Sequence, residues 1–190
     1  MNIVLNGTVT HWCNVLTDIR IAKETGYAGI ELIGEKLYRM LDLGLDIAVV
    51  KEALDGFPAI SVGFIPDIER SEPTQYAALL AETDRMCSVA GQLGCPNVQI
   101  LTGPHLPDGE YKGHPGMPMR ELIKLTAKNL REMCKIARTH GVTFYLEPIN
   151  WAPISSLDDS LAVINETGED NVGLVVDFWH MWCTGATPED

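Results

Sequence analysis

The sequence predicts an α/β protein of the (β/α)8-barrel type, carried through about six βα units. Short apolar runs alternate with longer amphipathic ones along the chain. Two of the short runs, GVTFYLE (141–147) and NVGLVVD (171–177), have the same length and each closes on a carboxylate, Glu147 or Asp177. Glu31 stands near the end of a third run, so acids recur at one end of the expected strands.

Strands are expected near 3–7, 28–33, 59–65, 97–102, 142–147 and 172–177, with helices near 15–25, 46–56, 72–93, 119–139 and 156–166. Gly26, Gly56, Gly94, Gly141 and Gly168 follow the helix ends, the usual place for a left-handed terminating residue. The 72–93 segment spaces Leu79, Met86, Val89 and Leu93 as one helical face, with acids and Arg85 between them, so it should lie against the outside of the sheet. In SSLDDSLAVINETG (155–168), Ser155 and Asp158 have capping-box spacing and Gly168 is the stop. Strand, helix and strand then form a βαβ unit with a right-handed crossover. Matched strand lengths put Glu147 and Asp177 at one level on neighbouring strands about 4.8 Å apart. That level is the C-terminal rim, where α/β folds build active sites.

PNVQILTG (96–103), HGVTFYLE (140–147) and DNVGLVVD (170–177) repeat the entry into a strand through valine. GPHLPDGEYKGHPGMP (103–118) reads as a long βα loop or lid, with His105 and His114 as solvated loop residues. An open doubly wound sheet shares the alternation, but no glycine-rich phosphate fingerprint follows the first strand, and polar strand ends converge only if the sheet curls. A complete barrel takes about 250 residues. Residues 1–190 therefore read as a single barrel domain, incomplete at the C-terminus, whose TGATPED end looks like the opening of another helix.

With 46% hydrophobic and 21% charged residues, the chain has globular composition. A net charge of −12 repels phosphate backbones and anionic membrane surfaces, so neither nucleic acid nor membrane is expected as a partner. Five scattered cysteines without a CxxC pair suggest reduced thiols rather than a disulfide framework or zinc knuckle. With no signal-like start and no long apolar run, the expected location is cytoplasmic.

Glu147 and Asp177, with His180 three residues on, offer oxygen and nitrogen donors to a divalent ion such as Mg, Mn, Zn or Co. The other reading makes the acids helix caps and packs His180 on Trp179 or Trp182. Glu31 is either a contact for a substrate hydroxyl or half of an exposed salt bridge. Trp12, Trp151, Trp179 and Trp182 follow strands, where they either wall a sugar pocket or pack the mouth of the barrel.

Taken together, LEPIN (146–150) and NVGLVVDFWHMW (171–182), supported by GYAGIEL (26–32) and NLREMCKIARTHGV (129–142), resemble the xylose isomerase-like TIM barrels. That family includes sugar and cyclitol isomerases, epimerases, hydroxypyruvate isomerase-like proteins and inosose dehydratases. The resemblance implies Glu147 and Asp177 as metal ligands, Glu147 also as the catalytic base, and His180 as a substrate contact; Glu31, Trp151 and Trp179 remain substrate candidates from their places at the strand ends. It implies proton transfer next to a carbonyl on a small sugar or cyclitol, with dehydration as the nearest rival. The chain departs from the family where Trp151-Ala152-Pro153 replaces an acidic loop, and where strands 7 and 8 would supply a histidine and a glutamate ligand. Alone it is expected to be inactive or nearly so. A non-catalytic fragment that forms homo-oligomers through open sheet edges is the remaining alternative, while an endonuclease activity conflicts with the acidic charge.

Overall fold

Side chains alternate across a strand with period two, so each strand offers one face to the helices and one to the concave side of the sheet. The protein, a computed structural model, describes residues 2–106, 108–187 and 189. The elements in order are β1 (Leu5–Asn6), α1 (Val15–Glu24), β2 (Ile30–Ile33), α2 (Gly34–Asp42), α3 (Ile47–Leu54), β3 (Ala59–Ile65), α4 (Pro73–Leu93), β4 (Asn97–Leu101), α5 (Met119–Thr139), β5 (Thr143–Glu147), α6 (Leu157–Thr167), β6 (Val172–Leu174) and α7 (Phe178–Thr184). They build one six-stranded parallel sheet in the order β1 to β6, a TIM-barrel-like arrangement. Among the described residues β1 pairs only with β2 and β6 only with β5, so each leaves one edge without a partner strand there. Among the described residues no helix is long and apolar enough to cross a membrane.

The outward strand face carries Ile30, Leu32, Val98, Ile100, Phe144 and Leu146, all buried in one core with Ile19, Leu79, Met86, Leu130 and Met133 of the helices. Each such side chain contributes about 1.5–3 kcal/mol on leaving water. The other face is polar, and it shows that the sheet curls. Side chains stand roughly perpendicular to a sheet, and β2 and β5 would lie about 14 Å apart if it were flat. Yet the Tyr145 hydroxyl shares its hydrogen between Ser61 Oγ at 2.7 Å and Glu31 Oε1 at 3.0 Å. Ser61 donates to the same Glu31 oxygen at 2.9 Å, and Asn6 Nδ2 donates to Glu31 Oε2 at 2.8 Å.

Several expectations need correction. The β5–β6 register pairs Phe144 with Val172 and Leu146 with Leu174, so Glu147 and Asp177 are not level; Asp177 lies two positions further along. Strand β6 ends at Leu174, and the residues after Asp177 form α7 rather than an extended rim. The cap of α6 is Ser156, whose Oγ accepts from Asp159 N–H at 3.1 Å, one residue beyond the expected Ser155–Asp158 box. Helix α2 went unforeseen because β2 runs into it without a polar linker. Its first residue is a glycine in tight quarters: a Cβ on Gly34 would lie 2.5 Å from Met86 Cε and 3.0 Å from the Gly63 carbonyl oxygen, so Met86 would have to shift to admit a larger residue. The expected helix opening at 184–190 is not found over 185–187, where Gly185 terminates α7; Pro188 and Asp190 lie outside the described residues.

The long loop after β4 has no helix or strand among its described residues, and its histidines are half-buried and held by the protein rather than free in solvent. His114 Nε2 donates to the Glu69 carbonyl at 2.9 Å, and the His105 ring packs edge-on against Phe64. His105 N–H donates to Asp67 Oδ1 at 2.7 Å, and Gly103 N–H donates to Glu69 Oε1 at 2.9 Å. A Cβ on Gly103 would overlap Asp67 Oδ1, so only glycine lets the loop close here. Glu69 is 1% exposed. Burial raises its carboxyl from 4.5 to about 7, against the lowering effect of main-chain donors, with Asp67 adding a smaller upward push.

Two measurements test these contacts. Tyr145→Phe should lower stability by about 1–3 kcal/mol in urea with an unchanged m value; no loss would mean that the bridge across the sheet does not hold it curled. For Glu69, the folded state keeps a proton that the unfolded state releases above about pH 4.5. Its contribution is therefore full below that pH and lost as the pH rises through about 7. Glu69→Gln should match the natural protein at pH 4.5 and exceed it by about 2 kcal/mol above pH 8 in urea melts; parallel pH profiles would contradict a raised Glu69.

Candidate metal centre

Helix α7 begins where the β6 segment stops, and that turn builds the site. Asp177 is its N-cap: the carboxylate oxygen Oδ1 accepts from Trp179 N–H at 2.7 Å and His180 N–H at 3.2 Å. The first turn of α7 carries His180 back toward the end of β5. Glu147, Asp177 and His180 thereby place one ligand atom each within 4.8 Å of one another. The cap reading and the convergence reading of Asp177 are thus both realised.

Glu147 closes β5, and its Oε2 accepts from Gln99 Nε2 on the neighbouring strand. Gly63 makes room for that amide, since a Cβ there would lie 2.5 Å from Gln99 Oε1. The Glu147 carboxyl is raised to about 7, first by burial and then by the negative charge of Asp177, while the Gln99 bond pulls it down. His180 is 9% exposed; its Nδ1 lies 2.8 Å from Asn150 Oδ1, and Trp151 stands edge-on to its ring at 5.2 Å. Ile149, buried with Leu101 and Ala152, anchors the loop that presents Asn150 and Trp151.

The remaining candidates separate. Glu31 lies deeper, held by Asn6, Ser61 and Tyr145, and forms no salt bridge among the described residues. The expected exposed ion pair is therefore replaced by a hydrogen-bonded, half-buried carboxylate. His180 packs on Trp151, not on Trp179 or Trp182. Trp179 is 67% exposed and Trp182 80%, and neither makes a ring contact among the described residues. Trp12 is 95% exposed and lines a separate cavity of about 370 Å³ beside α2 that contains none of the three converging groups. Gln99 and Asn150 were not foreseen. The signal for Gln99 was a polar residue alternating with Val98 and Ile100, two places before the strand end; that for Asn150 was its place in LEPIN.

Two carboxylates and an imidazole crowded together suit a divalent cation, since a positive charge would offset the repulsion that, after burial, helps to raise Glu147. The donor set fits zinc or cobalt through the nitrogen, and manganese or magnesium through the oxygens.

Comparison with known proteins agrees with the fold that carries these groups. A family model described as xylose isomerase-like TIM barrel matches residues 19–190. A 3-dehydroshikimate dehydratase of Bacillus anthracis is 25% identical over 190 residues, covering 92% of this chain and 60% of its own length. The chain thus spans less than two thirds of that relative. Among solved structures, the IolI protein with a bound zinc atom superposes on 100% of this chain and 67% of its own, with a TM-score of 0.86 and 21% identity. The 3-keto-D-glucoside 4-epimerase YcjR from E. coli, in its apo form, covers 98% of this chain and 72% of its own, with a TM-score of 0.79 and 23% identity.

Replacing Asp177 by Asn keeps the cap oxygen and removes the charge. In Asp177→Asn the Glu147 titration, followed by side-chain carboxyl ¹³C shifts, should move down from about 7 and remain above 4.5, because burial persists. An unmoved Glu147 midpoint would show that the two acids do not share a site.

Proposed function

This chain belongs to the xylose isomerase-like TIM barrel family, and from that premise we propose that it forms the Glu147–Asp177 side of a metal-dependent sugar or cyclitol isomerase or epimerase. The convergence of Glu147, Asp177 and His180 carries the proposal. Glu147 and Asp177 would hold the cation. When bound, it supplies a positive charge that polarises a carbonyl and an adjacent hydroxyl oxygen.

The chain's own groups then divide the work. Glu147 takes the proton from the carbon next to the carbonyl; a carboxyl raised to about 7 is matched to both taking and returning a proton near neutrality. Returning it to the neighbouring carbon, while a proton passes between the two oxygens, isomerises; inverting the centre instead requires a second acid that delivers a proton to the opposite face. Gln99 fixes the Glu147 carboxylate plane, so the base keeps its orientation through both transfers. Trp151 offers an apolar wall beside His180 for a sugar ring. Trp179 is exposed on the same turn and would reach substrate only from outside. Glu31 acts through Tyr145 and Ser61, shaping the floor of the site. We place the protein in a reducing, cytoplasmic setting, in keeping with its five free cysteines, and treat residues 1–190 as one barrel domain.

A second reading is dehydration, supported by the dehydratase relative that aligns with 92% of the chain. The same base next to the same carbonyl would then expel a β-hydroxyl rather than return the proton.

The test incubates the complete protein with Mn²⁺, Co²⁺, Mg²⁺ or Zn²⁺ and a panel of ketoses, inososes and dehydro-acids in D₂O. Isomerase or epimerase chemistry incorporates deuterium at the carbon next to the carbonyl, and Glu147→Gln abolishes it. Dehydration is read instead as loss of the mass of water. Metal binding with neither reaction on any substrate would leave a non-catalytic fragment as the correct account.

A further inference from the structure

The loop that leaves β4 is fastened to the segment after β3 by polar contacts. Gly103 N–H donates to Glu69 Oε1 at 2.9 Å, His105 N–H to Asp67 Oδ1 at 2.7 Å, and His114 Nε2 to the Glu69 carbonyl at 2.9 Å. No described residue from 103 to 116 belongs to either buried apolar cluster, and the His105 ring meets Phe64 only by its edge. Between the two segments lies a cavity of about 330 Å³, lined by Pro66, Asp67 and Arg70 of one and by Leu106 and Tyr111 of the other. Segments with few buried apolar contacts are those that open locally, ahead of the rest of a fold.

At the centre of these contacts sits the carboxyl of Glu69, 1% exposed and incompletely satisfied. Its Oε2 has no hydrogen-bond partner, and neither has the Tyr111 hydroxyl that faces it from the loop. Among the described residues no ion pair offsets its charge. Arg70, next in the chain, donates instead to the Pro66 carbonyl at 2.8 Å and to Glu82 of α4 at 3.3 Å. Helix α5 contributes the neutral Asn129, on the Ile68 and Arg70 carbonyls, and Asp67 adds a second negative charge. The loop brings Tyr111, His105 and His114. Burial dominates and keeps the proton on up to about 7, against 4.5 in water. An ionised Glu69 gains water only if the loop moves off it.

This loop leaves the sheet beside the rim. Leu101 is level with Glu147 in the β4–β5 register, and Gly103 follows two residues later. Phe64, which His105 touches, packs with Leu101, Ile149 and Ala152, the residues that anchor the turn after β5. Lifting the loop would uncover that flank of the rim.

We propose that Glu69 is a proton-operated latch: protonated, it lets the 103–118 loop lie closed against the flank of the rim, and ionised, it drives the loop open. The device governs access to the rim and holds whichever reaction the rim performs. Opening increases with pH, because the open loop returns the carboxyl to water and only the closed loop keeps the proton above pH 4.5.

The test is amide hydrogen exchange on the natural protein, each rate divided by that of an unstructured peptide at the same pH. Gly103 and His105 should exchange ahead of the amides of β4 at every pH, and their protection should fall about 30-fold between about pH 5.5 and pH 8. In Glu69→Gln, which keeps an acceptor for the Gly103 N–H while the histidines remain, that fall should be lost. The side-chain carboxyl ¹³C titration of Glu69 in the natural protein should span the same pH range as the loss of protection, a reading that does not need the variant to fold. Loop amides that exchange only together with those of β4, or a protection that ignores pH, overturn the proposal. A fall that persists in Glu69→Gln overturns it in favour of His105 or His114, and a Glu69 carboxyl already ionised at about pH 5.5 overturns it outright.

Discussion

The hydroxyl of Tyr145 meets Glu31 and Ser61 across the concave side of the sheet, and the placement of the rim depends on that meeting. Tyr145 is on β5, Glu31 on β2 and Ser61 on β3. Three strands separated in sequence by helices are thus tied through one buried hydrogen. Burial and the charge of Glu31 push the phenol far above its ordinary range, so the hydroxyl stays a donor at any pH the protein meets. The curl it records turns the polar ends of β4 and β5 toward each other and toward the turn that follows β6. A flat sheet of the same strands would spread those groups along an edge.

On that frame the three converging side chains are held by three different devices. Glu147 is oriented by an amide on the adjacent strand, Asp177 by the opening amides of its own helix, and His180 by an amide on the preceding loop. None depends on another charged group. The site therefore keeps its negative character instead of neutralising it internally, which distinguishes it from the Lys36–Asp18 pair that ties down the first loop at 2.7 Å.

The strands and most helices were legible because period-two runs, glycine stops and helical spacing are local signals. The pairing of Glu147 with Asp177 was legible for a partly wrong reason. Equal strand lengths suggested a level register, whereas the real one is shifted by two residues. An even shift preserves the face, and the helix that starts at Phe178 folds Asp177 back to where a longer strand would have put it. What sequence could not show was the supporting set. Gln99 and Asn150 carry no charge, and neither the strand alternation of the one nor the LEPIN position of the other says which group it will touch, while Gly63 matters only because a side chain from the next strand needs its space. Glu69 is buried only once Gly103, Tyr111 and His114 close over it, a condition set by a loop more than thirty residues away.

Two full negative charges about 4.8 Å apart repel by about 3 kcal/mol at an effective dielectric near 20, and Glu147 and Asp177 sit at or inside that spacing. The chain can relieve this in two ways, with a proton on Glu147 or with a cation between the acids. The Glu147 carboxyl, raised first by burial and then by Asp177, leans toward the first relief. A bound cation would supply the second and displace that proton, since carboxylate ligands must be ionised. Under the proposed function, metal loading and activation of the base would then be one ionisation event: the state of Glu147 that would hold the cation is also the state that could take a proton from carbon. The crowding of the two acids would couple those two tasks.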